Sequence, residues 1–173
     1  MRYLVVSDSH GDRAILLKLI ENFFDQVDAM FHCGDSELSA DDEVFAYFST
    51  VTGNCDYEPA FKEERTFSFG TDKILLAHGH LLGVSFGLDS FLKEMDRVKA
   101  NLGFFGHTHQ LGVEKIAGKI VLNPGSISYP RGKYQVLGGT FAIVETSPTQ
   151  TVIQYYDRQL QPLKDLKVVF KNA

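Results

Sequence analysis

The sequence predicts an α/β fold: two mixed β-sheets packed together, with helices outside. Three observations carry this. In the first third of the chain, short buried strands alternate with amphipathic stretches, and each strand runs straight into a polar cluster. After Pro59, strands joined by glycine-containing turns replace that alternation. Sites in open α/β sheets form outside the carboxyl ends of strands, so the repeated polar clusters read as parts of one site.

The elements follow in order. Residues 3–6 are a continuous apolar run, a buried strand ending in Ser7-Asp8-Ser9-His10-Gly11. Asp12 is placed to cap a helix over 13–26, whose Ile15, Leu16, Leu19, Ile20, Phe23 and Phe24 make one apolar stripe. Residues 28–33 form a second buried strand ending in Gly34-Asp35. A second helix is expected over 39–48, with Asp41, Asp42 and Glu43 in its first turn, where the helix dipole favours them. A third short strand, 50–52, ends in Gly53-Asn54-Cys55-Asp56.

Strands at 64–69 and 73–77 form a hairpin, and the second delivers His78. Residues 86–100 read as a helix with Leu88, Phe91, Leu92, Met95 and Val98 on one side. Strand 102–105 leads into Gly106-His107-Thr108-His109, and an extended strand would put both histidines on one face. A hairpin of 113–116 and 119–122 ends in Asn123-Pro124-Gly125-Ser126, and 129–139 is loop. Residues 140–145 and 152–156 alternate like strands of a second sheet, with a last strand at 166–170.

Composition narrows the function. A length of 173 residues suits one domain with a sizeable core, and no composition shift marks a boundary within 1–173. A net charge of −5 without a basic cluster does not point to nucleic acid. No apolar run reaches the length of a membrane span, and the N-terminal apolar run is too short for a signal peptide, so a cytoplasmic location is expected. Cys33 and Cys55 are too few for a cysteine-only zinc site, and a reducing compartment disfavours a disulfide between them.

Taken singly, the polar clusters have ordinary explanations. Asp8 could cap the following helix, Asp35 and Asn54 are common turn residues, and His78 could be a surface histidine. Taken together and in order, Asp-x-His, Gly-Asp, Gly-Asn, a histidine after a strand, and Gly-His-x-His resemble the calcineurin-like metallophosphoesterases. The length, the Asn-Pro-Gly-Ser stretch and the cysteine after Gly-Asn are similar to the small YfcE-type phosphodiesterases of that family. The resemblance covers almost the whole chain and implies a four-layer αββα fold.

It also implies a dinuclear metal centre. One ion would take Asp8, His10, Asp35 and His109; the other would take Asp35, Asn54, His78 and His107, with Asp35 as the bridge. Donor chemistry agrees: carboxylate, amide and imidazole suit Mn²⁺, and also Ni²⁺, Zn²⁺ or Fe. Seven donors exceed what one four-coordinate zinc takes, but suit two ions about 3.5–4 Å apart. The implied reaction is hydrolysis of a phosphodiester by a metal-activated water. The neutral Asn54 oxygen keeps ligand charge low and leaves the ions net positive toward phosphate.

Cys55 stands where the wider family has a histidine that serves the leaving group. Arg131, in a glycine-flanked loop, is the nearest candidate for phosphate contact, against a reading as a solvated loop charge. His32 and His80 are read as structural, or as outer partners of metal-bound histidines. The alternative function is a non-catalytic scaffold for protein contacts, because the same fold resembles a subunit of the retromer sorting complex. The edge strands of the second sheet are compatible with a homo-oligomer.

Overall fold

A computed structural model describes residues 1–172. Its elements, in chain order, are β1 (Arg2–Val6), α1 (Arg13–Phe23), β2 (Ala29–His32), β3 (Phe48–Thr50), β4 (Glu64–Phe69), β5 (Asp72–Ala77), α2 (Asp89–Val98), β6 (Leu102–Phe104), β7 (Gly112–Ile116), β8 (Lys119–Asn123), β9 (Thr140–Thr146), β10 (Gln150–Asp157) and β11 (Pro162–Lys171). They form two mixed sheets, a six-stranded one in the order β11-β10-β9-β1-β2-β3 and a five-stranded one in the order β4-β5-β6-β8-β7. Among the described residues no helix is long and apolar enough to cross a membrane.

The layers follow from three apolar clusters. Between the sheets lie Tyr3, Val5, Phe31, Phe104, Leu122 and Tyr155 with their neighbours. The opposite face of the six-stranded sheet packs its Leu4, Val6 and Ile143 against the α1 stripe of Ile15, Leu16, Leu19, Ile20 and Phe23. The opposite face of the five-stranded sheet packs Leu75 and Val121 against Phe91 and Met95 of α2. The result is the expected α-β-β-α sandwich. Strands β1-β2-β3 are mutually parallel, as are β5-β6-β8. Two parallel cores therefore send their carboxyl ends to one edge of the sandwich, where the site forms.

Several expectations change in detail. Asp12 does cap α1, its carboxylate accepting the Ile15 N–H. The helix expected at 39–48 does not form: Asp42 caps a single 3₁₀ turn, Glu43–Ala46, and Phe48 is drawn into β3 by pairing with Met30. The predicted strand at 50–52 is thereby moved to Phe48–Thr50. The helix expected from residue 86 begins at Asp89, because Gly87 at φ 148° holds the preceding chain out of helical geometry. The 129–139 loop contains a 3₁₀ segment, Gly132–Leu137. Cys33 and Cys55 are free thiols.

The largest correction concerns the late strands. β9 and β10 do not open the second sheet; β9 pairs antiparallel with β1 and extends the first. β1 has β2 on one side only, so its other edge needs a partner. The two-sided burial of Phe141, Ala142, Ile143 and Val144 fits a strand covered by α1 on one face and the other sheet on its back.

Asp72 links the two sheets. Its buried carboxylate accepts hydrogen bonds from the Tyr3 hydroxyl at 2.7 Å and the Thr146 hydroxyl at 2.5 Å, both on the six-stranded sheet. Removing one donor leaves a buried acceptor short of a partner. Tyr3→Phe is therefore expected to lower stability by about 1–2 kcal/mol, measured as a lower urea midpoint at unchanged slope.

Candidate metal centre

Six strand ends supply the site. The turn after β1 carries Asp8 and His10, and the turn after β2 carries Asp35. The chain beyond β3 carries Asn54. His78 follows β5, and the loop after β6 holds His107 and His109. The end of β8 brings Asn123 to Ser126 beneath them. All seven candidate donors converge. Asp8, His10, Asp35 and His109 present ligand atoms within 4.8 Å of one another. His78 Nε2 lies 3.3 Å from Asp35 Oδ2 and 3.1 Å from Asn54 Oδ1, and His107 Nδ1 lies 2.8 Å from the same Asn54 oxygen. Asp35 is the residue common to both groups.

The backbone is strained to achieve this. Asp8 (φ 55°), His10 (45°), Asp35 (54°), His107 (66°) and His109 (59°) all occupy the left-handed region. That region costs an L-residue of order 1 kcal/mol or more. The two histidines after β6 thus do not share a face of an extended strand; each sits in a left-handed turn and serves a different group of donors.

Compensating contacts hold the strained turns. Asp8 and His10 donate their N–H groups to the carbonyls of Gly34 and Asp35, which zips the first turn to the second. Asp56 accepts the N–H groups of Asp35, Glu37 and Gly53 and the hydroxyl of Ser36, all at 2.7–3.1 Å. Asn123 Nδ2 donates to the Gly106 carbonyl and to Thr108 Oγ1, bracing the histidine loop. The Ser126 hydroxyl donates to the Asp8 carbonyl, and that of Ser128 to the Ser9 carbonyl. Sequence reasoning assigned none of these bracing roles. The available signal was a carboxylate two residues beyond Gly53-Asn54, the spacing from which it reaches back to the turn.

Gly53 and Gly106 are required by close approach. A Cβ on Gly53 would lie 2.0 Å from Asp35 Oδ1, and one on Gly106 would lie 1.9 Å from Ser7 Oγ and 2.7 Å from Asp8 Oδ2. The glycines of Gly-Asn and Gly-His-x-His are where backbone presses on the donor carboxylates.

Hydrogen bonding assigns the imidazole tautomers. His10 Nδ1 meets Glu37 Oε1 at 2.6 Å, His78 Nδ1 meets the Cys33 carbonyl at 2.8 Å, and His109 Nδ1 meets the Tyr129 carbonyl at 2.7 Å. Each partner is an acceptor, so each Nδ1 carries hydrogen and each Nε2 is left to face the site. His10 Nε2 and His109 Nε2 then stand 3.3 Å apart, with Asp8 Oδ1 3.2 Å from the latter. Neither oxygen of the fully buried Asp8 accepts a well-formed hydrogen bond. Lone pairs facing one another beside a buried carboxylate need a proton or a cation between them. The donor set fits a divalent metal ion.

Charge shifts express the same demand. Burial alone would lower the pKa of His78, but the Asp35 hydrogen bond and the carboxylates of Asp8 and Asp35 raise it. His109 is raised against its burial by Asp8. Burial opposes ionisation of Asp35, yet His78 and the Cys55 N–H hold it below the usual carboxylate range. The two histidines are biased toward the cationic form and Asp35 toward the anionic form, so the cluster concentrates charge that a cation would balance.

The remaining candidates are placed less centrally. Cys55 donates its N–H to Asp35 Oδ1 at 2.7 Å, while burial and the Asp35 charge push its thiol up to about 11. Arg131 is exposed beside His107, its N–H on the His109 carbonyl, and makes no ion pair among the described residues. The His80 ring lies 5.3 Å from that of His78, but its buried Nδ1 has no hydrogen-bond partner and orients no donor. His32 is structural: its Nδ1 accepts the Gly34 N–H and its Nε2 faces Ser9 Oγ.

The matching of known proteins agrees with this geometry. The model of the calcineurin-like phosphoesterase superfamily domain matches residues 1–149. The chain belongs to the calcineurin-like phosphoesterase superfamily. Within it, the chain is 35% identical over 167 residues to a probable metallophosphoesterase, YsnB, of Bacillus subtilis, covering 96% of this chain and 97% of that one. A predicted phosphoesterase of Streptococcus pneumoniae superposes with a TM-score of 0.95 at 30% identity, covering 99% and 97% of the two chains. At 20% identity the fold is shared with the phosphoesterase YfcE of E. coli, TM-score 0.70 over 97% and 98% of the chains. It is shared equally with Vps29 of Entamoeba histolytica, TM-score 0.74 over the full length of both. Membership in the calcineurin-like phosphoesterases implies phosphoester hydrolysis with divalent metal ions.

His32 generates a test in acid. Burial depresses its pKa from 6.5 to about 4, and protonation would set its Nδ1–H against the Gly34 N–H. The unfolded chain therefore binds the proton first, so this contribution is present above pH 6.5 and lost as pH falls through the folded value. It amounts to roughly 3 kcal/mol at full extent. The stability difference between wild type and His32→Gln is expected to shrink between pH 7 and pH 4, followed by urea midpoints.

Proposed function

We propose that this protein is a dinuclear metal-dependent phosphodiesterase, acting in the cytoplasm as one domain. One ion would be held by Asp8, His10, Asp35 and His109, and the second by Asp35, Asn54, His78 and His107. The observation that carries the reading is the set of Nε2 lone pairs turned inward on a buried Asp8 carboxylate that lacks donors. Mn²⁺ is the ion proposed, and carboxylate, amide and imidazole donors also accommodate Ni²⁺, Zn²⁺ and Fe.

When bound, such ions lower the pKa of a water and offset the charge on phosphate. The protein's own groups set the geometry for that chemistry. Asp35 spans the two donor groups with its two oxygens. Asn54, exposed at the mouth, adds an oxygen without adding charge. Glu37, the Cys33 carbonyl and the Tyr129 carbonyl hold three imidazoles in the tautomer that a cation needs. Arg131 is free to meet a phosphate oxygen beside His107.

Cys55 bears on the choice of ester. With its thiol pushed up to about 11 it stays neutral near pH 7, so it brings no positive charge to the site. A phosphate monoester is largely a dianion near neutral pH and a diester is a monoanion. The less positive site favours the diester.

A scaffold role is the second reading, favoured by the fold shared with Vps29. Retention and convergence of all seven donors support the enzyme instead. Protein stripped and reloaded with Mn²⁺ is expected to bind two ions per chain and to hydrolyse bis-p-nitrophenyl phosphate. Protein that takes up no metal would leave the scaffold reading standing.

Asp35→Asn removes the carboxylate shared by two cations, whose repulsion is then less offset. Loss of at least one ion and a fall in kcat of about 10³ or more are expected, roughly 4 kcal/mol of barrier. Metal content and turnover are measured on the same sample. Wild type should hydrolyse bis-p-nitrophenyl phosphate well above p-nitrophenyl phosphate at neutral pH. Cys55→His should shift that ratio toward the monoester, and most for poor alkyl leaving groups, which need a proton.

A further inference from the structure

A cleft of about 470 Å³ opens from the candidate metal centre, with His107 in its wall. It runs away from the seven donors, between the loop that precedes α2 and the edge strand β7. Its floor is apolar: Val84 and Phe105 are buried, and Leu88 is half-buried. Its walls carry hydrogen-bonding groups, Thr108, Gln110 and Glu114, while Ser85 stands exposed at the rim. Arg131 and Glu114 are its only charged side chains, and neither makes an ion pair among the described residues. Ser85, Leu88 and Glu114 make no hydrogen bond to a candidate donor, whereas Thr108 and the Arg131 backbone also bond within the histidine loop.

The composition of the cleft is selective. Its volume falls within the range of pockets that hold whole organic ligands, far more than a methyl or ethyl ester fills. The apolar floor suits a flat, weakly polar body. The amide, hydroxyl and carboxylate of the wall suit a polar edge with both N–H donors and carbonyl acceptors. Arg131 offers a contact for one phosphate, and the exposed Glu114 opposes a second anionic group in the cleft.

We propose that this cleft binds a nucleoside, the substituent that stays on phosphorus while the other ester group leaves. The substrate class is then a nucleoside phosphodiester without a further phosphate on the bound side. The proposal rests on the phosphodiesterase reading above and adds the determinant of its specificity.

Two chromogenic diesters that release the same p-nitrophenolate test it. One is thymidine 5′-monophosphate p-nitrophenyl ester, and the other is methyl p-nitrophenyl phosphate. With a common leaving group, their kcat/KM ratio reads only the retained substituent. With Mn²⁺-loaded wild type the ratio is expected to favour the nucleoside ester by about tenfold or more, the discrimination that pocket contacts supply. Ser85→Trp, a rim substitution at an exposed position, is expected to reduce that ratio about tenfold by filling the cleft. Hydrolysis of both esters at equal kcat/KM overturns the cleft assignment and leaves the phosphodiesterase reading intact. So does a ratio in Ser85→Trp equal to that of wild type. Hydrolysis of neither ester by protein with both ions bound overturns the catalytic reading, and the cleft assignment with it.

Discussion

A buried carboxylate with no hydrogen-bond donor is the constraint on which this molecule turns. Asp8 is fully buried, and what faces it are imidazole nitrogens bearing lone pairs. In a medium of low polarity that arrangement is costly unless a cation completes it. The surroundings are arranged to keep it so. Three outward hydrogen bonds fix three histidines in one tautomer, and two glycines let backbone close on the carboxylates from behind.

Keeping the donors convergent requires backbone that would relax if left alone. Five donors are held in left-handed conformations, and those turns are locked to each other rather than to regular structure. Asp56 gathers two of the turns, and Asn123 and Ser126 tie the histidine loop and the first turn to the end of β8. The Asn-Pro-Gly-Ser stretch is therefore a brace. Such local strain is tolerated because two sheets and three apolar clusters over-determine the strand ends from which the turns spring.

Charge in the site follows the same economy. Asn54 places an amide oxygen and no charge beside His78 and His107, and Cys55 places a neutral thiol where a histidine would add a cation. The region around the donors is open on one side, toward Arg131 and the cleft, and braced on the other. An anionic ester can approach from the open side without displacing any group that positions a donor.

Most strands, α1 as far as Phe23 with its Asp12 cap, the amphipathic face of α2 and the strand-end positions of the seven candidate donors were legible in the sequence. Each follows from local periodicity or from residue type at a strand end, and such signals survive without knowledge of contacts. Phe24, read as part of the apolar stripe, is exposed. Three things were decided by tertiary structure. Phe48 reads as the end of a helix, but pairing with β2 takes it into a strand, because a ladder partner outweighs a weak local propensity. Residues 140–145 and 152–156 read as sheet strands from local pattern alone, and only the open edge of β1 determined which sheet they join. His107 and His109 are two apart, which suggests a shared face. Their left-handed backbone sends them to different donor groups, and that conformation is imposed by the Asn123 brace and the Asp8 turn, contacts that no stretch of sequence contains.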